Sequence, residues 1–394
     1  MRVSYPVHTL TDQTEILSSL LARHRREGHA FSLWREPGSS EKKLLVCTKG
    51  VLELDELLLE EITPGFAFAP FDSAKMKLYL TADVVYHFHD HPSLENQFTA
   101  EELLELKKEL HLSRKGAIHF PVSVSTSPTE KDSFIDLVNQ SIQFIKNGQA
   151  EKLVPSRTRS FQLKEALDVV DTFDQLCIRY PNAMVSLVSI PDVGTWFGAT
   201  PELLLSIDAA KCFRTTALAG TQVHDPSIDP REVKWTQKEI EEQALVSRYI
   251  INCFKRIRLR DFKEHGPKTF VAGNLIHLKT DFEADMVGTG FPNLGSQMLS
   301  LLHPTSAVCG TPLEATRQFL LEQEGYDRKF YSGFLGPVNI DNEIHLFVNL
   351  RCMQLDHDSV ILYAGAGVTI DSMAEKEWQE TEMKMDTLLR VITS

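Results

Sequence analysis

Two apolar periods alternate along this chain, and each predicts a kind of element. Phe134, Val138, Ile142 and Ile145 recur at helical spacing, and Gly148, which tolerates the left-handed conformation, follows as a stop. The same pattern predicts helices over 14–27, 100–111, 312–324 and 373–392, and a long one near 231–258. Short β-rich runs predict strands at 31–34, 44–47, 76–80 and 84–88 in the first part of the chain. Further strands are predicted at 152–161, 183–190, 195–198, 203–207, 213–219, 275–282, 331–338, 345–355 and 360–365. Strands mostly follow strands rather than alternating one-for-one with helices. The expected class is therefore α+β, with large antiparallel or mixed sheets covered by helices and no doubly wound core. A Ser/Pro/Thr-rich stretch at 121–130 separates residues 1–120, which carry no recognisable chemistry, from 121–394, although both parts can belong to one integrated domain.

Composition narrows the partners. The 394 residues are 42% hydrophobic, enough for a sizeable core, and 41 Lys and Arg against 54 Asp and Glu give a formal charge of −13. That sign opposes nucleic-acid or anionic-membrane binding, so an anionic ligand needs local cations or a metal. Six cysteines without a CxxC pair fit a reducing, cytoplasmic setting. The first twenty residues lack a signal-peptide core, and the longest uncharged stretch, 286–313, is broken by Gly, Pro, Asn, Gln, Ser and His, so no membrane span is expected.

Several familiar motifs fail. The glycines of 288–295 and 365–367 miss the GxGxxG spacing, and GxxxxGK[ST], GxSxG and HExxH are absent. His87, His89 and His91 share one face of a predicted strand, where they suit either a transition metal or a solvated strand end.

Charges at apolar positions say more. Glu242 lies in line with Val246, Ile250 and Cys253 of the long helix, with Glu239 one turn earlier, so a carboxylate stands where a hydrophobic residue is expected. Buried there, it needs a cation, donors or a metal; at a solvated helix start it needs none. Glu377, Glu380 and Lys384 form a stripe beside the apolar face of Trp378, Met385, Leu388 and Ile392, as either an exposed ion-pair ladder or a hard-cation site of the kind that suits Mg²⁺. Lys152 opens a strand among apolar neighbours, where desolvation makes a base and snorkelling makes an ordinary cation. Glu202 follows Thr200 and Pro201, a sequence that also fits the first turn of a helix.

Eight segments in order resemble the chorismate-utilising enzymes: EKLVPSR (151–157), FGATPELLL (197–205), TTALAGT (215–221), HPTSAVCGTP (303–312), YSGFLG (331–336), VNLRC (348–352), YAGAGV (363–368) and EKEWQETEMK (375–384). The resemblance spans about 250 residues and implies the large α+β fold of that family, with 1–120 as its divergent N-terminal part and 121–394 as the chorismate-binding catalytic part. Lys152 occupies the position held by lysine in the isochorismate and salicylate synthases and typically by glutamine in the anthranilate enzymes. Ala219 stands where aminodeoxychorismate synthases usually carry a nucleophilic lysine. The branch that uses water is favoured, and no obligatory glutaminase subunit is expected.

The resemblance implies Lys152 as the base that activates water and Glu202 as the general acid. Glu242 and Glu380, with Glu377 nearby, are implied as ligands of Mg²⁺. Arg351 and Lys384 are implied to hold carboxylate, the backbone of Ala364, Gly365 and Gly367 to donate to it, and Thr216, Gly220 and His303 to complete the substrate site. Gln243 departs from the histidine that relatives commonly carry after the metal-binding glutamate. The expected activity is a Mg²⁺-dependent, reversible isomerisation of chorismate to isochorismate by an isochorismate synthase of quinone or siderophore biosynthesis. A salicylate synthase is the alternative, and an anthranilate synthase large subunit or a non-catalytic chorismate-binding paralogue stands further off.

Overall fold

A computed structural model describes residues 13–89, 98–99, 101–102, 105–106, 130–225, 227–272 and 275–393. Most of the expected helix at 100–111, the connection at 121–130 and His91 lie outside the described residues. In chain order the elements are α1 (Gln13–Arg26), β1 (Ala30–Arg35), β2 (Lys42–Cys47), β3 (Leu52–Leu54), β4 (Gly65–Ala69), β5 (Lys77–Thr81), β6 (Val84–Phe88), α2 (Lys131–Lys146), β7 (Lys152–Leu153) and β8 (Ser156–Gln162). There follow α3 (Val169–Arg179), β9 (Met184–Ile190), β10 (Gly194–Thr200), β11 (Leu203–Ile207), β12 (Cys212–Val223), α4 (Gln237–Arg256), β13 (Lys263–Ala272), β14 (Leu275–Asp285) and α5 (Leu294–Leu302). The last elements are β15 (Gly310–Thr311), α6 (Leu313–Gln323), β16 (Phe334–Ile340), β17 (Glu343–Val348), β18 (Cys352–Leu355), β19 (Ser359–Gly365) and α7 (Ala374–Ile392).

The strands build two large antiparallel sheets. One runs β6-β2-β1-β9-β10-β18-β19-β8, the other β13-β14-β12-β11-β17-β16-β4-β5-β3, and β15 pairs with β7 in a small third sheet. Strands from either side of residue 120 share both large sheets. Alternation places β1 between two cores: Phe31 and Leu33 pack under α1, α3 and α7, while Trp34 turns to the opposite face. There Trp34, Phe66, Phe68, Trp196, Phe347 and Tyr363 interdigitate between the sheets. The outer face of the second sheet is covered by α4 and α5 through Val246, Ile250, Phe254, Leu294 and Met298. The result is helices, sheet, sheet and helices in layers, the α+β class expected from the strand spacing.

Some expectations shift in detail. The strand expected at 152–161 is broken at Pro155, which has no backbone N–H for a ladder: Lys152 and Leu153 pair with β15, and Ser156 onward with β19. Thr200, Pro201 and Glu202 open no helix; they form the short link from β10 to β11, with the Thr200 hydroxyl donating to the Val348 carbonyl at 2.6 Å. The strands β4 and β13 and the helices α3 and α5 were not anticipated. Among the described residues no helix is long and apolar enough to cross a membrane.

Candidate active site

Residues of the second sheet, α4, α7 and the end of β19 line a cleft whose empty space, open mouth included, is about 660 Å³. Its walls include Pro201, Glu202, Leu218, Ala219, Gly220, Thr221, Glu242, His277, Tyr331, Arg351, Ala364, Gly365, Gly367 and Lys384. Residues from all eight resembling segments, from Val154 to Lys384 and including Ala307 and Val308, therefore line one space, although they span about 230 positions of sequence.

Local structure explains their placement. The Thr236 hydroxyl and backbone N–H both engage the Glu239 carboxylate at 3.0 and 2.7 Å, a capping box that starts α4 and sets Glu242 on the cavity side. Glu239 also accepts from Gln222 at 2.8 Å, so it is occupied as a cap. Gln243 is buried and donates to the Ala217 carbonyl and the Thr280 hydroxyl at 3.1 and 3.0 Å, tying α4 to the sheet. A Cβ on Gly367 would lie 2.5 Å from Oε1 of Glu242 and 3.2 Å from Cε of Lys152, so only glycine admits these two side chains. Arg351 adopts φ +46°, a left-handed conformation uncommon for a bulky side chain, and Gly198 leaves room for its carbonyl.

Three lysines interleave with three carboxylates. The Lys152 ammonium, almost wholly buried, donates to Glu242 at 2.8 Å. Lys238 donates to Glu377 at 2.8 Å, and Lys384 pairs with Glu380 at 2.7 Å while donating to the Gly365 carbonyl at 2.9 Å. Burial pushes Glu242 towards its neutral form, but the Lys152 ammonium outweighs it and holds the carboxyl below its usual range. Glu377 goes the other way, raised by burial and by Glu380, and its Oε2 has no hydrogen-bond partner among the described residues. The expected ion-pair ladder on α7 does form between Glu380 and Lys384, but against the cavity.

Glu202 is the most perturbed acid of the site. Burial raises it to about 7, against the lowering influence of Lys152, Lys384, Arg351 and the Thr305 hydroxyl. Near neutrality it is thus poised to give up a proton. Burial also disfavours the Arg351 cation, and no ion pair or hydrogen bond holds its guanidinium among the described residues. His277 was not singled out from sequence. Burial lowers it to about 3, so its imidazole is neutral; Nδ1 donates to the Gly220 carbonyl at 2.9 Å and Nε2 has no partner among the described residues. A polar residue inside the apolar alternation of β14 was the available signal.

Of the expected site residues, Lys152, Glu377 and Glu380 do not line the cavity, Lys152 and Glu380 being ion-paired to the lining Glu242 and Lys384, and two others stand apart. His303 does not line this cavity: Nε2 donates to the Pro70 carbonyl at 2.9 Å and the ring packs edge-on against Phe334, so it faces a separate cleft, while Ala307 and Val308 of its segment reach the site. Thr216 also lies outside the lining, its hydroxyl donating to Asp281 at 3.0 Å.

The expected metal ligands fit a hard cation in chemistry: the donors are all carboxylate oxygens, and Glu377 keeps one buried oxygen without a partner among the described residues. They are not gathered in one coordination sphere, since each is drawn to its own lysine.

The family model described as chorismate binding enzyme matches residues 70–393. Over 270 residues the chain is 29% identical to the isochorismate synthase EntC of Escherichia coli K12, covering 66% of this chain and 67% of that protein. It is 28% identical over 274 residues to the isochorismate synthase DhbC of Bacillus subtilis, covering 67% and 68% respectively. In fold it is similar to the menaquinone-specific isochorismate synthase MenF of Escherichia coli, with a TM-score of 0.71 over 99% of this chain and 93% of that one, at 20% identity.

Proposed function

The chain belongs to the chorismate-binding enzyme family, and on that footing we propose that it is an isochorismate synthase, converting chorismate to isochorismate. The observation that carries this reading is a carboxyl raised to about 7, Glu202, on the wall of a cavity whose lining Glu242 is ion-paired to the buried Lys152. Water addition with loss of a hydroxyl needs such an acid and base, and the 28–29% identity to isochorismate synthases supports the same branch.

Water attacks C2 of the ring as Lys152 takes its proton, which requires the amine form and hence release from Glu242. Glu202, protonated below about pH 7, gives its proton to the C4 hydroxyl as that C–O bond breaks and water departs. The ring double bonds shift between the two carbons, so one water enters, one leaves, and substrate and product are isomers. Arg351, without a partner of its own among the described residues, is suited to a substrate carboxylate in bidentate fashion. Lys384 stands beside it on the wall, with the Gly365 carbonyl fixing its direction. Mg²⁺ would be held by Glu242 and Glu380 with Glu377 adjoining, and when bound it would neutralise and polarise a carboxylate of the substrate.

The test is incubation of purified protein with chorismate, with and without Mg²⁺, and chromatographic separation of products. Isochorismate at a fixed ratio to residual chorismate, formed only with Mg²⁺ and without pyruvate, is the expected result. Salicylate with stoichiometric pyruvate would move the protein to the salicylate synthases, and anthranilate formed only with ammonia would overturn the role of Lys152.

A further inference from the structure

A second set of metal-ligating side chains lies at the junction of α1 and β1, apart from the chorismate cavity. His24 sits in the last turn of α1, and the chain then reverses through Gly28 at φ +75° to enter β1. That turn returns His29 over the helix end and leaves Glu27 between the two imidazoles. Nδ1 of His24 lies 3.2 Å from Nδ1 of His29, and Oε2 of Glu27 lies 3.8 and 3.4 Å from them. Ligands about 2.0–2.2 Å from a tetrahedral ion stand roughly 3.3–3.6 Å apart, so the three edges are those of one coordination face.

The surroundings support this geometry. Arg23 takes the other oxygen of Glu27 through its Nε at 3.1 Å, and Arg26 lies 3.9 Å from that same oxygen, which leaves Oε2 directed at the histidines. His24 has only 7% of its side chain exposed and lies against the rings of His29 and Tyr86, with centroids at 5.5 and 6.3 Å. Glu27 and His29 open onto a surface cleft that also reaches Lys49 and Asp192, giving an ion a route in and a place for a fourth, exchangeable ligand. Two imidazoles and one carboxylate suit a borderline divalent metal rather than Mg²⁺.

We propose that His24, Glu27 and His29 bind a divalent transition metal of the Zn²⁺ class, which staples the end of α1 to the start of β1. Two features limit its strength. Arg23 and Arg26 add positive charge nearby, and ligation through Nδ1 leaves the Nε2 hydrogen of His24 in a buried position without an acceptor among the described residues. The affinity therefore falls below that of closed four-ligand sites.

The full chain, stripped with a chelator and dialysed, is titrated with Co²⁺ and then displaced with Zn²⁺. One equivalent of Co²⁺ with the intense visible bands of four-coordinate geometry is expected, and Zn²⁺ should raise the melting temperature. In the double variant H24Q/H29Q the Co²⁺ affinity should fall by more than roughly 100-fold, beyond the roughly 10–100-fold that loss of a supporting residue costs, and the Zn²⁺ stabilisation should be lost. H87A, which alters the neighbouring pair of His87 and Glu41, should behave as wild type. Equal binding by a folded H24Q/H29Q variant, loss of binding in H87A, or no tetrahedral Co²⁺ spectrum in wild type would each overturn the assignment. Neither histidine touches the chorismate cavity, so turnover assayed with Mg²⁺ stays unchanged in H24Q/H29Q, and the metal readout is independent of whether chorismate is the substrate.

Discussion

At the residue scale the site turns on two buried groups, Glu202 and Lys152. Glu202 is isolated from water and lies at about 7, while Lys152 spends its charge on Glu242. An acid of this kind works only while protonated, so kcat/KM should show an alkaline limb, falling as pH rises through about 7. In E202Q, which has no proton to give, that alkaline limb should disappear and kcat should fall by roughly 10²–10⁴-fold, as a pH–rate profile would show. A limb that persists unchanged in E202Q would assign it to another group. K152A should abolish turnover while circular dichroism and melting remain those of a folded chain, since Leu153 still pairs with Gly310. Turnover retained by K152A would remove the base from the mechanism.

At the element scale the question is what holds α7, since it carries Glu377, Glu380 and Lys384 together. Arg157 of β8 is buried beneath the helix, donates to the Thr381 hydroxyl at 2.7 Å, pairs with Glu382, and stacks its guanidinium 3.6 Å from the Trp378 ring centre. A desolvated cation–π contact contributes about 2 kcal/mol and the hydrogen bond donated by the charged guanidinium about 1.5. R157M should therefore cost about 3.5 kcal/mol in denaturant unfolding and raise KM by loosening the helix. R159M should cost less than about 1 kcal/mol, because Arg159 meets the same Glu382 from a half-exposed position. This anchor was not legible in sequence. Alternation showed that Arg157 belongs to a strand, but only the pairing of Ala364 with Arg157 puts it under α7. The stripe of Glu377, Glu380 and Lys384 was legible because helical periodicity is local. His303 misled for the converse reason: its segment reaches the cavity, but a hydrogen bond to Pro70, 233 residues distant, turns the imidazole elsewhere.

At the scale of the whole molecule, composition and strand spacing expressed the class but not the partners. Nothing local reveals that β1 lies beside β9 or β4 beside β16, since each pair joins segments more than 140 residues apart. The net charge of −13 acts at this scale too, and it opposes the proposed substrate, which carries two carboxylates. A chain of this length has a radius of about 20 Å. At that distance the repulsion in unscreened water is about 5 kcal/mol. The cavity wall offers Lys384 and Arg351 against Glu242, so its own excess is only about one positive charge while Glu202 is protonated. Salt separates the two contributions, because a Debye length of about 30 Å at 0.01 M passes much of the surface field, whereas one of about 8 Å at 0.15 M passes little, and the buried pairs are screened least. At fixed free Mg²⁺ the KM for chorismate should therefore fall severalfold as NaCl rises over that range. A KM that climbs instead would mean that exposed cations steer the substrate, and that the acidic surface lies turned away from the mouth of the site.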